Sequence, residues 1–273
     1  MSEDVRRIEI VVDRDRPSAF TLRVDGTEQS YVDLDDPRRL EFDYIQRMAD
    51  VIDGHGTAGE PLRCVHIGGA GMTLARYVAA TRPRSAQIVL EPDEEITALV
   101  RERMPLPRHS GIKVRPVDGR TGIAAMRDDF ADVVVLDAFD GDQVPAELTT
   151  REFFGELARV TTPDGLVLLN LADHAPFPYL RRAVRGVLDA FAEVMISAEP
   201  ATLKGRRFGN VLVVASQATL PWETLARRAA SSPLPYRVLP YREVVQGFAA
   251  KTAFTDQDSQ PSPARPRLGT FFG

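Results

Sequence analysis

One cysteine in 273 residues has nothing to pair with. A disulfide framework and a cysteine metal site are both excluded. Cys64 stands in an apolar stretch, where a free cysteine acts as a small hydrophobe. No apolar run reaches the roughly 18 residues of a membrane-spanning helix. The opening MSEDVRRIEI has no apolar signal core. Basic surplus is also missing: 34 Lys and Arg face 39 Asp and Glu, for a formal net charge of −5. That argues against nucleic acid and anionic membrane as partners. The expectation is a cytoplasmic protein. With 44% hydrophobic and 27% charged residues, the chain suits one large globular domain, or one domain with a small appendage.

What is present is organised around Arg63 to Glu91, RCVHIGGAGMTLARYVAATRPRSAQIVLE. An apolar strand, Cys64 to Ile67, runs into the small-residue turn Gly68-Gly69-Ala70-Gly71. A helical pattern follows, with Leu74, Tyr77 and Val78 at three- to four-residue spacing. A second apolar strand, Gln87 to Leu90, ends on Glu91. Glycine lets the backbone turn tightly and lets a ligand approach the main chain. The free N–H groups of a helix start face such a ligand. An acid about 20 residues after the glycines can accept both hydroxyls of a ribose. The third glycine of the dinucleotide pattern would fall at Leu74, so that pattern is incomplete. Turn, strand and Glu91 together predict a nucleoside ligand; the alternative is a βαβ crossover with no ligand.

Around this unit the pattern predicts an α/β chain. Residues 7–12, 19–24 and 29–34 read as strands, with an Asp25-Gly26 turn, giving a small antiparallel element. Asp36-Pro37 predicts a helix start, with Leu40, Tyr44, Met48 and Val51 on one face. Strands are predicted at 63–67, 86–91, 112–117, 131–136, 166–171, 194–198 and 210–215. Helices are predicted at 93–103, 121–127, 149–161, 178–191 and 222–230. Thr149 with Glu152 fits a capping box. Alternating strands and helices imply a parallel sheet covered on both faces. The tail from Thr255, TDQDSQPSPARP, reads as irregular or disordered. The expected division is 1–60, an N-terminal β element with a connecting helix; 61–250, a Rossmann-like nucleoside-binding domain; and 251–273, an irregular tail.

Ligands of open α/β sheets bind beyond the carboxyl ends of the strands. Standing there are Gly68 to Gly71, Glu91, Asp118-Gly119, Asp137, and Asn170 to Asp173. The loop LDAFDGDQVPAEL holds Asp137, Asp140 and Asp142 within six residues. Clustered carboxylates repel one another unless they meet a cation. No histidine joins them and no EF-hand pattern is present, so the expected cation is an amine and not a metal. A carboxylate can hold an ammonium and accept its proton. His66 reads as core, and His174 as a solvated loop residue or a general base.

From about residue 20 to residue 216 the chain resembles the spermidine synthase family, polyamine aminopropyltransferases on the class I S-adenosylmethionine-dependent methyltransferase fold. The resemblance rests on the glycine turn, Glu91, Asp118-Gly119, Asp137-Ala138-Phe139-Asp140 and Pro145-Ala146-Glu147-Leu148. It implies a seven-stranded Rossmann-like sheet behind the small N-terminal β element. It implies that Gly68, Gly69, Gly71, Glu91, Asp118 and Gly119 bind the nucleoside. Asp137 would be the base, Asp140 would help hold the polyamine, and Gln29 and Tyr44 would line the substrate. The implied co-substrate is decarboxylated S-adenosylmethionine, the acceptor a small amine, and the assembly a homodimer, with no metal.

Three departures stand out. The family's Gly-Gly-Gly-Asp-Gly-Gly loop, whose Asp holds the donor's amino group, is one residue shorter here and has no Asp. Tyr44-Ile45-Gln46 lacks the family's acid. Lys204-Gly205-Arg206-Arg207 brings cations that repel a polyamine and suit an anion. They keep two alternatives open: a methyltransferase using S-adenosylmethionine itself, and a non-catalytic nucleoside-binding homologue.

Overall fold

A computed structural model describes residues 6–266. Its first three strands, β1 (Ile8–Val12), β2 (Ala19–Val24) and β3 (Thr27–Asp33), form a small antiparallel sheet in that order. α1 (Asp43–Asp53) leads into the main body. There follow β4 (Arg63–Ile67), α2 (Thr73–Thr81), β5 (Ala86–Leu90), α3 (Glu94–Arg103), β6 (Ile112–Arg115), α4 (Gly119–Ala124), β7 (Ala131–Leu136) and α5 (Arg151–Val160). The rest is β8 (Thr161–Asp173), α6 (Pro178–Ala190), β9 (Glu193–Ala198), α7 (Pro200–Leu203), β10 (Gly209–Ser216), α8 (Trp222–Ser231), β11 (Arg237–Leu239) and α9 (Tyr241–Phe248). The main sheet runs β11-β9-β10-β8-β7-β4-β5-β6.

β4 to β8 are parallel, as the alternation predicts. β10 is not: it pairs antiparallel with both β8 and β9. Between β9 and β10 lies only the one-turn α7 and a bend, too short a link for the crossover that parallel neighbours require. The sheet also has eight strands, not seven, because Arg237–Leu239 adds an antiparallel edge beside β9. Three residues are too few for a periodic signal.

Side-chain alternation splits the buried strands between two cores. Val134 and Leu136, Val167 and Leu169, and Val211 and Val213 face one side with α5 and α6. Val133 and Val135, Leu166 and Leu168, and Leu212 and Val214 face the other with α1 and α2. Each such side chain contributes about 1.5–3 kcal/mol by leaving water. A third core joins the N-terminal sheet to the body through Leu22 and Val32 against Met72, Ala75, Val100 and Met104. That junction matters for function, because it seats β3 beside the glycine turn.

Several expected boundaries move. The helix predicted from Asp36 starts only at Asp43. The Asp33 carboxylate accepts from the Asp35 and Asp36 N–H groups at 3.1 and 3.3 Å, and this folds residues 33–39 into turns first. β6 stops at Arg115, and α4 begins two residues early, capped by Asp118. α5 is capped by Thr150, whose hydroxyl accepts from Phe153 N at 3.2 Å. Thr149 is held by a preceding 3-10 turn, and Glu152 accepts from Asp256 N instead of closing a capping box. Pro163-Asp164-Gly165 is absorbed into an irregular start of β8.

The segment after α9 has no helix or ladder, yet it is anchored and not disordered through residue 266; residues 267–273 of the expected tail lie outside the described residues. Phe254 is buried against Tyr179 with Arg182 over its ring. Asp256 and Asp258 pair with Arg120 and Arg182. Ser262 is fully buried; its hydroxyl accepts from Val144 N at 2.8 Å and its N–H donates to Val144 O at 3.1 Å. Serine and proline gave no periodicity, but they pair well with a loop that has its own backbone groups to satisfy. Ser262→Ala leaves the buried Val144 N–H unpaired and is expected to destabilise the fold by about 1–3 kcal/mol. Urea denaturation, with limited proteolysis of residues 255–266, reads this.

Candidate active site

The strand ends of β4, β5 and β7 open into a cleft of about 2050 Å³, walled on one side by β3. Its floor is the glycine turn. Gly68 has φ +87°, and a Cβ there would lie 2.3 Å from Asp137 O, so only glycine lets β4 and β7 close at this point. Gly71 N donates to Ser30 Oγ at 3.0 Å, and Thr73 Oγ1 donates to Tyr31 O at 2.9 Å. These bonds tie β3 to the start of α2. That start is left-handed at Met72 and has no side-chain cap.

Glu91 stands beyond the tip of β5. Its Oε2 accepts from Gly69 N at 2.8 Å and Ala70 N at 3.1 Å, and its Oε1 accepts from Asp93 N at 2.9 Å. The carboxylate is thus oriented by the turn it faces. Asp118 caps α4, accepting from Thr121 N at 2.8 Å, and this bond holds its carboxyl below the usual range. Gly119 packs directly on Ile67, where a Cβ would fall 2.2 Å from Cγ2.

The three clustered aspartates separate into three environments. Asp137 is half-buried on the cleft wall. Its Oδ1 accepts from Asn170 Nδ2 at 2.8 Å, and the Tyr44 hydroxyl stands near it. Burial pushes its carboxyl up to about 6, against the lowering effect of these two neighbours. Tyr44 is held protonated well above its usual range by burial and then by the charge of Asp137. Asp140 lies exposed on the rim, in a tight turn where Asp140 and Gln143 exchange backbone bonds. Asp142 Oδ2 accepts from Arg265 N at 2.7 Å, joining this loop to the C-terminal segment. Gln29 Nε2 donates to Gly141 O at 3.3 Å, so β3 reaches across the cleft to the same turn.

All the predicted site residues line this cleft except Gly71, which lies behind it against Ser30. The cations at Lys204, Arg206 and Arg207 do not line it. They sit in an exposed bend after α7, with Arg207 paired to Glu199, and only Phe208 and Asn210 beyond them reach the wall. The cations on the wall are instead Arg6, Arg7 and Arg265, the last of which sequence reasoning passed over inside an irregular tail. Asn170 and Asn210 lacked assigned roles as well. The signal for Asn170 was available: it is one amide in the otherwise apolar run LVLLNLA. His66 is buried on Gln87 at 3.0 Å, and burial lowers its imidazole to about 4, so it stays neutral in the core. His174 is exposed beside the buried Asp173. Among the described residues no three His, Cys, Asp or Glu side chains converge as metal ligands, and no helix is long and apolar enough to cross a membrane.

No family model matches the chain. It is 28% identical over 209 residues to the polyamine aminopropyltransferase of Chromobacterium violaceum, a match spanning 74% of this chain and 75% of that one. A crystal structure of a probable spermidine synthase from Corynebacterium glutamicum superposes with a TM-score of 0.85 at 29% identity, over 93% of this chain and 94% of that one. Human methyltransferase-like protein 13, solved in complex with SAH, shares the fold with a TM-score of 0.50 at 18% identity, over 63% of this chain and 83% of that one. In sequence and in structure the chain is thus similar to the spermidine synthases, or polyamine aminopropyltransferases, and it has their S-adenosylmethionine-dependent methyltransferase-like fold.

Proposed function

We propose that the chain transfers an aminopropyl group from decarboxylated S-adenosylmethionine to a small amine. The observation that carries this reading is Asp137: a carboxylate raised to about 6, held by Asn170 with Tyr44 near it, on the wall of a cleft whose other end is the glycine turn with Glu91. Glu91 accepts from the ribose hydroxyls and Asp118 from the adenine amino group, while Gly68 and Gly69 let the nucleoside lie on the backbone. Gln29, Tyr44 and Asp140 line the acceptor. Asp137 takes the proton from the amine. The nitrogen then attacks the methylene carbon on the sulfonium, the carbon–sulfur bond breaks, and its electron pair returns to sulfur as 5′-methylthioadenosine. The leaving group is already good, so positioning supplies much of the rate.

A base must be ionised to work. Turnover is therefore expected to fall about tenfold per pH unit as pH drops below about 6, and to level off above it. A rate profile from pH 5 to 8 at saturating substrates checks this.

A second reading has S-adenosylmethionine itself as donor. Two features favour it: no carboxylate stands in the turn between Gly68 and Thr73 to repel a donor carboxylate, and Arg265 on the wall suits one. Calorimetric titration with 5′-methylthioadenosine and both donors separates the two. Tighter binding of the decarboxylated donor supports aminopropyl transfer; tighter binding of S-adenosylmethionine supports the methyltransferase; binding of none removes the nucleoside site.

A further inference from the structure

The buried stretch of β8 from Leu166 to Ala172 is apolar except for Asn170, which is fully buried. Its amide stands between two partners. Nδ2 donates to Asp137 Oδ1 at 2.8 Å, and Oδ1 accepts from Asn210 Nδ2 at 2.9 Å. A primary amide has one donating and one accepting end. Toward a carboxylate the NH2 end favours the ionised form, whereas the carbonyl end would require a proton on the acid. If Asn170 alone turned over, its NH2 would also meet the NH2 of Asn210, donor against donor. Both partners therefore favour the same orientation of Asn170. Asn210 lies near the start of β10, paired in register with Ala172, and its backbone carbonyl accepts from Arg47 Nη2 at 3.2 Å. Arg47 is 2% exposed and also lies 3.5 Å from Asp43.

We propose that Asn210 is a positioning residue for Asp137. By fixing Asn170 with its nitrogen toward Oδ1, it keeps the carboxyl ionised and leaves Oδ2 to receive the substrate proton. The proposal deepens the reading of Asp137 as the base and rests on it. The titratable and charged groups around Asp137 are Tyr44 and Asp43 on α1, Asp140 and Asp142 on its own loop, Glu91 beyond the glycine turn, and Arg265 from the C-terminal segment. None of these touches Asn210 through a side-chain hydrogen bond among the described residues. A change at Asn210 thus reaches Asp137 through Asn170 and not through a lost charge.

The test is a pH titration of the Asp137 side-chain carboxyl by carbon-13 NMR, assigned by its loss in Asp137→Asn. It needs no turnover. Asn210→Leu is expected to raise the midpoint by about one pH unit, the size of a lost hydrogen bond to a charged acceptor. Asn170→Leu is expected to raise it at least as much, and Asn210→Leu added to Asn170→Leu to change nothing further. Asn210→Ser, which removes the amide with less volume, serves if the leucine variant does not fold. The acid limb of the rate profile moves with the midpoint. An unmoved midpoint in Asn210→Leu, or an equal shift in the Asn170→Leu background, overturns the proposal. A shifted midpoint in a protein that transfers no aminopropyl group leaves the relay standing and removes the assigned reaction instead.

Discussion

Asp137→Asn is expected to lower turnover by about 10²–10⁴-fold, the range for loss of a positioned general base. The substitution keeps the shape of the side chain. Its carboxamide oxygen can still accept from Asn170 Nδ2, now at 2.8 Å from Asp137 Oδ1, so the wall of the cleft should hold. What goes is the capacity to take a proton from an ammonium. Binding of 5′-methylthioadenosine, which the proposed function places at Glu91 and the glycine turn, is expected to be unchanged. Steady-state rates and a calorimetric titration on one preparation read both. Full activity in Asp137→Asn would remove the aspartate from the chemistry, and joint loss of rate and nucleoside binding would give it a structural role.

Gly68→Ala should have the second large effect, for a geometric reason. The residue sits at φ +87°, where an L side chain is strained by about 1–3 kcal/mol. Its Cβ would also fall 2.3 Å from Asp137 O and 2.8 Å from Ala138 Cα. Both are backbone atoms where β4 and β7 close together, so neither can swing aside, and overpacking adds about 1–3 kcal/mol. A total of about 2–6 kcal/mol would consume much of the stability of an ordinary domain. Whatever folds should carry Asp137 displaced from Asn170. Gly141→Ala is the control: φ is +61° there, but no atom lies within 4 Å of the added Cβ. It should show the backbone strain alone. Denaturant melts of the two variants give the difference, and equal losses would mean that the Gly68 contact with Asp137 is unimportant.

The end of the cleft that holds the glycine turn and Glu91 was legible because its logic is local. A strand, a glycine turn and an acid some 20 residues on lie within one βαβ unit, and each has a backbone reason to be where it is. Asp137 was legible for the same reason, at the end of a short apolar strand. The partners that tune it were not. Asn170 reaches Asp137 across the β7–β8 pair, and Asn210 reaches Asn170 across an antiparallel pair whose direction the alternating pattern misjudged. Arg265 enters from an irregular segment fixed by contacts with sequence-distant partners, among them Ser262 with Val144 and Arg265 with Asp142. Such placements depend on tertiary pairing and leave no period to read. The bend after α7 shows the reverse error. The family resemblance set its cations against the polyamine, but one turn of helix carries them out to solvent.

The most direct test of aminopropyl transfer is a product analysis. The full chain is incubated with decarboxylated S-adenosylmethionine and a panel of small di- and polyamines, and the mixture is read by mass spectrometry. The account predicts 5′-methylthioadenosine and an aminopropylated amine in equal amounts, at a rate that Asp137→Asn lowers by about 10²–10⁴-fold. Formation of S-adenosylhomocysteine and a methylated product from S-adenosylmethionine, with no 5′-methylthioadenosine from any amine, would contradict it.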